Sequence, residues 1–425
     1  MSIDRRDFMK LTAAGMVIAA FPGCATSSGE LVRKKAQRVV VVGGGFGGAT
    51  AAKYIRMWSD KKIEVVLVER NMKFVSCPMS NTVLGGSRTI GDLTRNYDTL
   101  DSKYGIIMVN GEVTAVDPQK QTVMLASGHL SYDRLIIAPG VDFMYEQIEG
   151  LSADISANSI PHAWKAGEQT VLLRKQLESM RDGGVFAISV PKMPYRCPPG
   201  PYERACQVAH YLKSNKPKSK VLILDANPDI VSKKGLFNAA WKDLFPGMVE
   251  YRADAAVKKV DAAGKVATTD FEDVKVDVLN VIPPMKAGAV AGMAGVVGSD
   301  NRWCPVDFLS YESSLQKNIH VIGDSVSAAL PKSGHMATSQ AKICAAAIIE
   351  LMAGGQPDPD PAIANTCYSM VSASEAMHVA NVYRFDKEKR AMVSAPGGGV
   401  SDSRSDMEGI LAGYWLENIL NDVLL

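Results

Sequence analysis

Cys197 stands in the stretch PYRCPPGPYERA, residues 194–205, between an apolar strand pattern and a helical one. A thiol at such a place can serve as a nucleophile or as half of a disulfide. Its neighbours make it informative, because Pro198, Pro199 and Pro201 follow at once. In a strand–loop–helix unit that binds a dinucleotide, the loop offers glycines and backbone N–H groups to a pyrophosphate. Proline has no N–H and stiffens the loop. The loop therefore predicts no NADH at this unit, and electrons that enter from something else. Local sequence alone reads Cys197 as readily as a buried thiol or purely stabilising bridge as it does as a catalytic residue. The missing phosphate loop tips the reading towards catalysis.

The other cysteines are Cys24, Cys77, Cys206, Cys304, Cys344 and Cys367. Cys206 and Cys344 lie in apolar helical sequence and read as small core hydrophobes. Cys77, in FVSCPMSN, has the polar neighbours Ser80 and Asn81 and sits on a loop able to fold back over a bound ligand. No C-x-x-C-H occurs, so any haem belongs to another chain. No metal site is predicted.

A second chemistry is carried by glycines. QRVVVVGGGFGGATAAKYIRMW is a buried-strand run, then Gly43, Gly45 and Gly48 in G-x-G-x-x-G spacing, then a helix. The next strand, KIEVVLVE, ends in Glu69. These glycines permit a tight turn and a close backbone approach to a pyrophosphate, and Glu69 is placed to accept hydrogen bonds from a ribose. Two later stretches favour FAD over NAD. YDRLIIAPG is a strand ending in a Pro-Gly turn, as where a chain leaves an FAD domain, and KNIHVIGDS ends a strand in Gly323-Asp324, expected to hold the ribityl chain. The helix in KSGHMATSQAKICAAAIIELM points its positive end at the flavin, and Lys332 before it is expected to offset charge on the reduced flavin. This part resembles the disulfide-reductase-like flavoproteins.

Positioning these groups requires an α/β architecture with two Rossmann-like dinucleotide-binding domains and a C-terminal α+β cap. Residues 36–150 and 291–360 read as the FAD-binding domain, 151–290 as an inserted NADH-like domain that carries Cys197, and 361–425 as a cap that brings Cys367 to the flavin. GGQPDPDPA is the hinge before the cap.

Residues 1–35 read as an export signal and linker: Arg5-Arg6, Phe8 and Lys10 precede a short apolar run from Leu11 to Phe21. That run is too short to span a bilayer, and a twin-arginine signal to the periplasm fits it. Cys24 is a candidate lipid acceptor. The 425 residues contain 47 basic and 45 acidic ones, scattered without blocks, which argues against a nucleic-acid partner.

Taken together, VVVVGGGFGGATAAKYI, FVSCPMSNTVLGG, PHAWKAGEQT, YRCPPGPYERA, WCPVD, HVIGD, LPKSG and NTCYS resemble the flavoprotein subunit of flavocytochrome c sulfide dehydrogenase, a relative of sulfide:quinone oxidoreductases. The resemblance runs from about residue 37 to the C-terminus. It implies a thioether from Cys77 to the flavin, a redox-active disulfide between Cys197 and Cys367, and Glu203 as the acidic residue beside that pair. It also implies sulfide as substrate and a c-type cytochrome subunit as electron acceptor. Glu203 opens a helix, where a carboxylate suits the helix dipole in any case. The rivals are a quinone-reducing sulfide oxidase, whose lipid contact would fall on the apolar tail MEGILAGYWLENILNDVLL, and a catalytically idle flavin-fold partner of a cytochrome.

Overall fold

The structure is a computed structural model that describes residues 29–425. The twin-arginine signal and Cys24 lie outside the described residues.

The first unit of the chain contains β1 (Arg38–Val42), α1 (Phe46–Trp58), β2 (Glu64–Glu69), β3 (Ile107–Asn110) and β4 (Arg134–Ile137). The second contains β5 (Val185–Val190), α2 (Gly200–Asn215), β6 (Lys220–Asp225), β7 (Val249–Arg252) and β8 (Val278–Val281). The chain then returns through β9 (Ile319–Val321) and α3 (Gly334–Met352). It closes with β10 (Ala362–Met370), β11 (Ala376–Asp386), β12 (Ala391–Ser394), β13 (Gly399–Val400) and α4 (Asp406–Leu424).

Both inner sheets are parallel, and their central strands are apolar at consecutive positions because each is covered on two faces. The first sheet has the order β9-β4-β1-β2-β3, and every residue of β1 is buried. The second sheet has the order β7-β6-β5-β8. The cap is antiparallel, β10-β11-β12 with β13 on β11, and α4 packs on it. These are the expected two dinucleotide folds and α+β cap.

Two features of the packing were not anticipated. Val141–Phe143 pairs antiparallel with Met285–Ala287, so the double crossing between domains is itself a two-stranded ribbon. Lys259–Asp261, Val266–Thr268 and Asp273–Lys275 form a small antiparallel sheet inside the second domain. One hydrophobic core runs from β1 and α1 through α2 to Met370, Ala376 and Leu416 of the cap, with separate clusters around Leu222 and Val281 in the second domain and around Ile363 and Tyr383 in the cap. Among the described residues, no helix is long and apolar enough to cross a membrane.

Candidate active site

One cavity of about 1710 Å³ runs from the β1–α1 turn to the cap. At its first end stand Gly43, Gly45 and Glu69. Gly43 has φ +100°, and a Cβ there would lie 2.4 Å from the Ala138 carbonyl oxygen. The Glu69 carboxylate accepts from Gly44 N at 2.6 Å through Oε2, and from Asn71 N and Nδ2 at 2.8 Å through Oε1. It is thus held at the mouth of the turn, where a ribose would meet it. Gly48 does not line the cavity as a cofactor-binding residue should. A Cβ there would lie 1.8 Å from Gly43 O, so its part is to let α1 pack against the turn.

Midway, Gly323 and Asp324 form the floor. Asp324 is half-buried, its buried Oδ1 has no hydrogen-bond partner, and burial pushes its carboxyl up against the opposing pull of Arg196 and Lys332. A buried acceptor left open beside a cavity is a place for a ligand hydroxyl. Lys332 departs from expectation. Its side chain turns away from the cavity, donating to the carbonyls of Asp324 at 2.8 Å and Val326 at 2.7 Å, and lies 3.8 Å from the centre of the Trp303 ring. Burial lowers its ammonium to about 8. It braces the Gly323–Asp324 loop from behind and does not line the cavity.

At the far end the cavity is lined by Cys77, Arg196, Cys197, Glu203 and Cys367. Cys197 has φ +56°, a left-handed backbone that costs a residue with a side chain. Its N–H donates to Lys332 O at 2.7 Å and its carbonyl accepts from Gly200 N at 2.9 Å, which fixes the thiol at the start of α2. Cys367 arrives from β10 of the cap. No disulfide joins them: both are free thiols, as are the other four cysteines of the described residues. The two sulfurs sense each other. Burial raises both thiols, and an anion on Cys367 raises Cys197 further.

Glu203 sits in the first turn of α2 but is not a surface cap. It is 6 % exposed, accepting from Asn81 Nδ2 at 2.9 Å and from Met370 N at 3.0 Å. Burial raises its carboxyl, with Asn81, Met370, Lys233 and Arg204 pulling the other way. One turn on, Gln207 Nε2 donates to the carbonyls of Met370 and Ser372, each at 2.9 Å. The same face of α2 thereby docks the cap strand three residues beyond Cys367.

The fold agrees with known proteins. A family model described as "Sulfide dehydrogenase [flavocytochrome c] flavoprotein chain, central" matches residues 170–283, and "Flavocytochrome c sulphide dehydrogenase, flavin-binding" matches residues 359–424. "Pyridine nucleotide-disulphide oxidoreductase" matches residues 37–177. The flavoprotein chain of sulfide dehydrogenase [flavocytochrome c] from Chlorobaculum thiosulfatiphilum is 62% identical over 47 residues, 11% of this chain and 96% of that sequence. The mitochondrial sulfide:quinone oxidoreductase of Dictyostelium discoideum is 23% identical over 327 residues, 73% of this chain and 70% of the relative. The solved sulfide:quinone oxidoreductase of Aquifex aeolicus superposes with a TM-score of 0.73 at 20% identity, covering 91% of each chain.

The chain belongs to the flavoprotein family of flavocytochrome c sulfide dehydrogenases and sulfide:quinone oxidoreductases. It is a flavin-binding oxidoreductase, and the Gly43 cradle and the open Oδ1 of Asp324 fit FAD. In this flavoprotein the second dinucleotide fold presents a closed face. Asp225, at the end of β6, accepts from Tyr202 at 2.6 Å and from Tyr251 at 3.0 Å, and the Trp164 ring packs on Gly200 at the start of α2.

Several residues of the flavoprotein's site were not foreseen. Arg196 donates to Cys77 Sγ at 3.0 Å and accepts at its carbonyl from Trp164 Nε1 at 2.9 Å. Burial opposes its charge, but Cys77, Asp324 and Cys197 outweigh burial and hold it cationic. Arg204 is buried, donating to Asn81 Oδ1 and to the carbonyls of His162 and Ala163, and burial lowers it to about 9. Both arginines lay inside the quoted YRCPPGPYERA, where adjacency to Cys197 was the available signal. Lys233 had none, as one of two adjacent lysines in VSKKG.

Proposed function

We propose that this flavoprotein oxidises hydrosulfide at Cys197 and Cys367, and that FAD takes the electron pair and passes it on singly to a c-type cytochrome in the periplasm. The observation that carries this reading is the meeting of two free thiols from different domains, beside a buried carboxyl, at one end of a cavity shaped for a dinucleotide. With the pair oxidised to a disulfide, hydrosulfide attacks one sulfur. The S–S bond breaks, a persulfide forms on that cysteine, and the other leaves as a thiolate, with one negative charge before and after. Glu203, the buried carboxyl that lines the same end of the cavity, takes the proton that oxidation releases. A thioether from Cys77 anchors the flavin.

Sulfide as substrate is supported by the family and by relatives named for it. The cytochrome acceptor is supported by α4, which buries Leu416, Leu420 and Val423 yet exposes Met407, Ile410, Leu411 and Tyr414 at helical spacing. Trp415 of the same helix lines the cavity, so this stripe stands one residue from the flavin chamber. Arg5-Arg6 and the apolar run after them support export. The same stripe also suits a quinone-reducing enzyme at a lipid surface, but Asp406, Glu408 and Glu417 on α4, with no basic residue, oppose anionic lipid.

Anaerobic rapid mixing with sulfide tests the reading. Cys197→Ser and Cys367→Ser each retain flavin and lose bleaching by sulfide. Bleaching at the wild-type rate in either variant refutes the role of the pair. Reduction of cytochrome c in preference to a short-chain quinone identifies the acceptor.

A further inference from the structure

Lys233 is a buried ammonium whose hydrogen bonds all go to uncharged oxygens. It donates to Ser369 Oγ at 2.8 Å, to Cys367 O at 3.2 Å and to Met377 O at 3.4 Å, and it is 7 % exposed. Among the described residues no ion pair is recorded at it. Its backbone is left-handed, φ +53° and ψ 34°, immediately before the helix Lys234–Leu244. A residue with a side chain adopts that conformation at a cost, and here it accompanies a charge carried under β10. Burying a cation without a counterion is also unfavourable. Two costs at one residue call for an anion that the resting molecule does not display.

The anionic groups that bear on this ammonium are Cys367, Glu203, Cys197 and Glu408, in that order. Glu203 is a poor counterion, because its oxygens are engaged by Asn81 and Met370. Sulfur remains. Lys233 is the leading influence favouring an anion on Cys367, joined there by Ser333 and Asn365. On Cys197 the leading charges, Cys367 and Glu203, disfavour one.

We propose that Lys233 is a positioning residue that provides the standing counter-charge for an anionic sulfur on Cys367, and so selects Cys367 as the sulfur that leaves when the disulfide opens. The inference rests on the sulfide-oxidising reading above and deepens it. Hydrosulfide then adds to Cys197 Sγ, the S–S bond breaks, and its electron pair departs on Cys367 Sγ as thiolate. The persulfide stays on Cys197. No further oxidant enters this step, and the total charge is unchanged. A sulfur that leaves with its negative charge already compensated leaves faster.

The test uses the full-length holoprotein, with its thiols reduced, the reductant removed, and each cysteine's rate of reaction with iodoacetamide followed by peptide mass at neutral pH. Lys233→Met is expected to slow Cys367 by about tenfold and to leave Cys197 close to the wild-type rate. Lys233→Arg restores most of the Cys367 rate. Lys234→Met, which alters an exposed neighbour paired with Asp229, changes neither. Cys367 reacting at the wild-type rate in Lys233→Met overturns the proposal, and so does equal slowing of both thiols. Should Lys233→Met fail to fold, Ser369→Ala replaces it, with Cys367 slowed a few-fold, and an unchanged rate counts against. Because alkylation needs no sulfide, failure here is distinct from failure of the sulfide reading, which the bleaching experiment decides.

Discussion

Cys77 shows how a single contact refines a residue's chemistry. Its sulfur accepts a 3.0 Å hydrogen bond from Arg196, a cation held charged by the sulfurs and by Asp324 around it. That contact fixes the direction in which the sulfur is presented to the cavity, where a thioether to the flavin would form. The expected outcome is a tryptic peptide containing Cys77 that carries the mass of FAD. In Cys77→Ser the flavin should come free on acid precipitation. An unmodified Cys77 peptide from flavin-saturated protein contradicts the attachment. At this scale the sequence was legible where rarity helped: few cysteines, and glycines in a spaced motif. It was silent where the deciding quantity was direction. Lys332 precedes the helix that it was expected to assist, yet its side chain turns back to two carbonyls. Lys233 lies far along the chain from Cys367 and has no motif, so only folding could bring it under β10.

Elements were the most readable level, because a strand buried on both faces must be apolar at consecutive positions, and the inner runs VVVV, VVLV and VLIL of RVVVV, EVVLVE and KVLILD are. The β1–α1 joint yields a sharp expectation. A methyl group at Gly48 has no room beside Gly43 O, and that contact is backbone, which cannot swing aside. Gly48→Ala should therefore shift α1 or the turn, costing about 1–3 kcal/mol. It should lower the flavin content of purified protein, read from the ratio of flavin to protein absorbance. Full flavin content at an unchanged melting temperature would contradict the tight packing. The ribbon of Val141–Phe143 with Met285–Ala287 was illegible for a plain reason. Its strands are three residues each and far apart in the chain, so neither carries enough periodicity to announce a partner.

For the whole molecule, the arrangement of domains followed from the order of motifs, whereas the reaction did not. Two dinucleotide folds and a cap suit many oxidoreductases. Sulfide and a cytochrome came from the resemblance, and the proline-rich loop argued only against NADH. The outer surface of α4 tests the acceptor. Ile410→Lys combined with Tyr414→Lys places two charges in the exposed stripe without touching the cavity lining. Reduction of cytochrome c by sulfide should fall roughly tenfold or more at limiting cytochrome, with anaerobic bleaching of the flavin unchanged. Equal loss of both would mean the helix acts on the fold and not on docking.

Lys332, displaced from its expected part, joins the two chambers. Its carbonyl holds the N–H of Cys197 while its ammonium holds the strand end that bears Asp324. Thiol and cofactor floor are thereby referenced to one residue and not to the hinges between domains. A change at Lys332 therefore acts on the thiol and on the cofactor floor together.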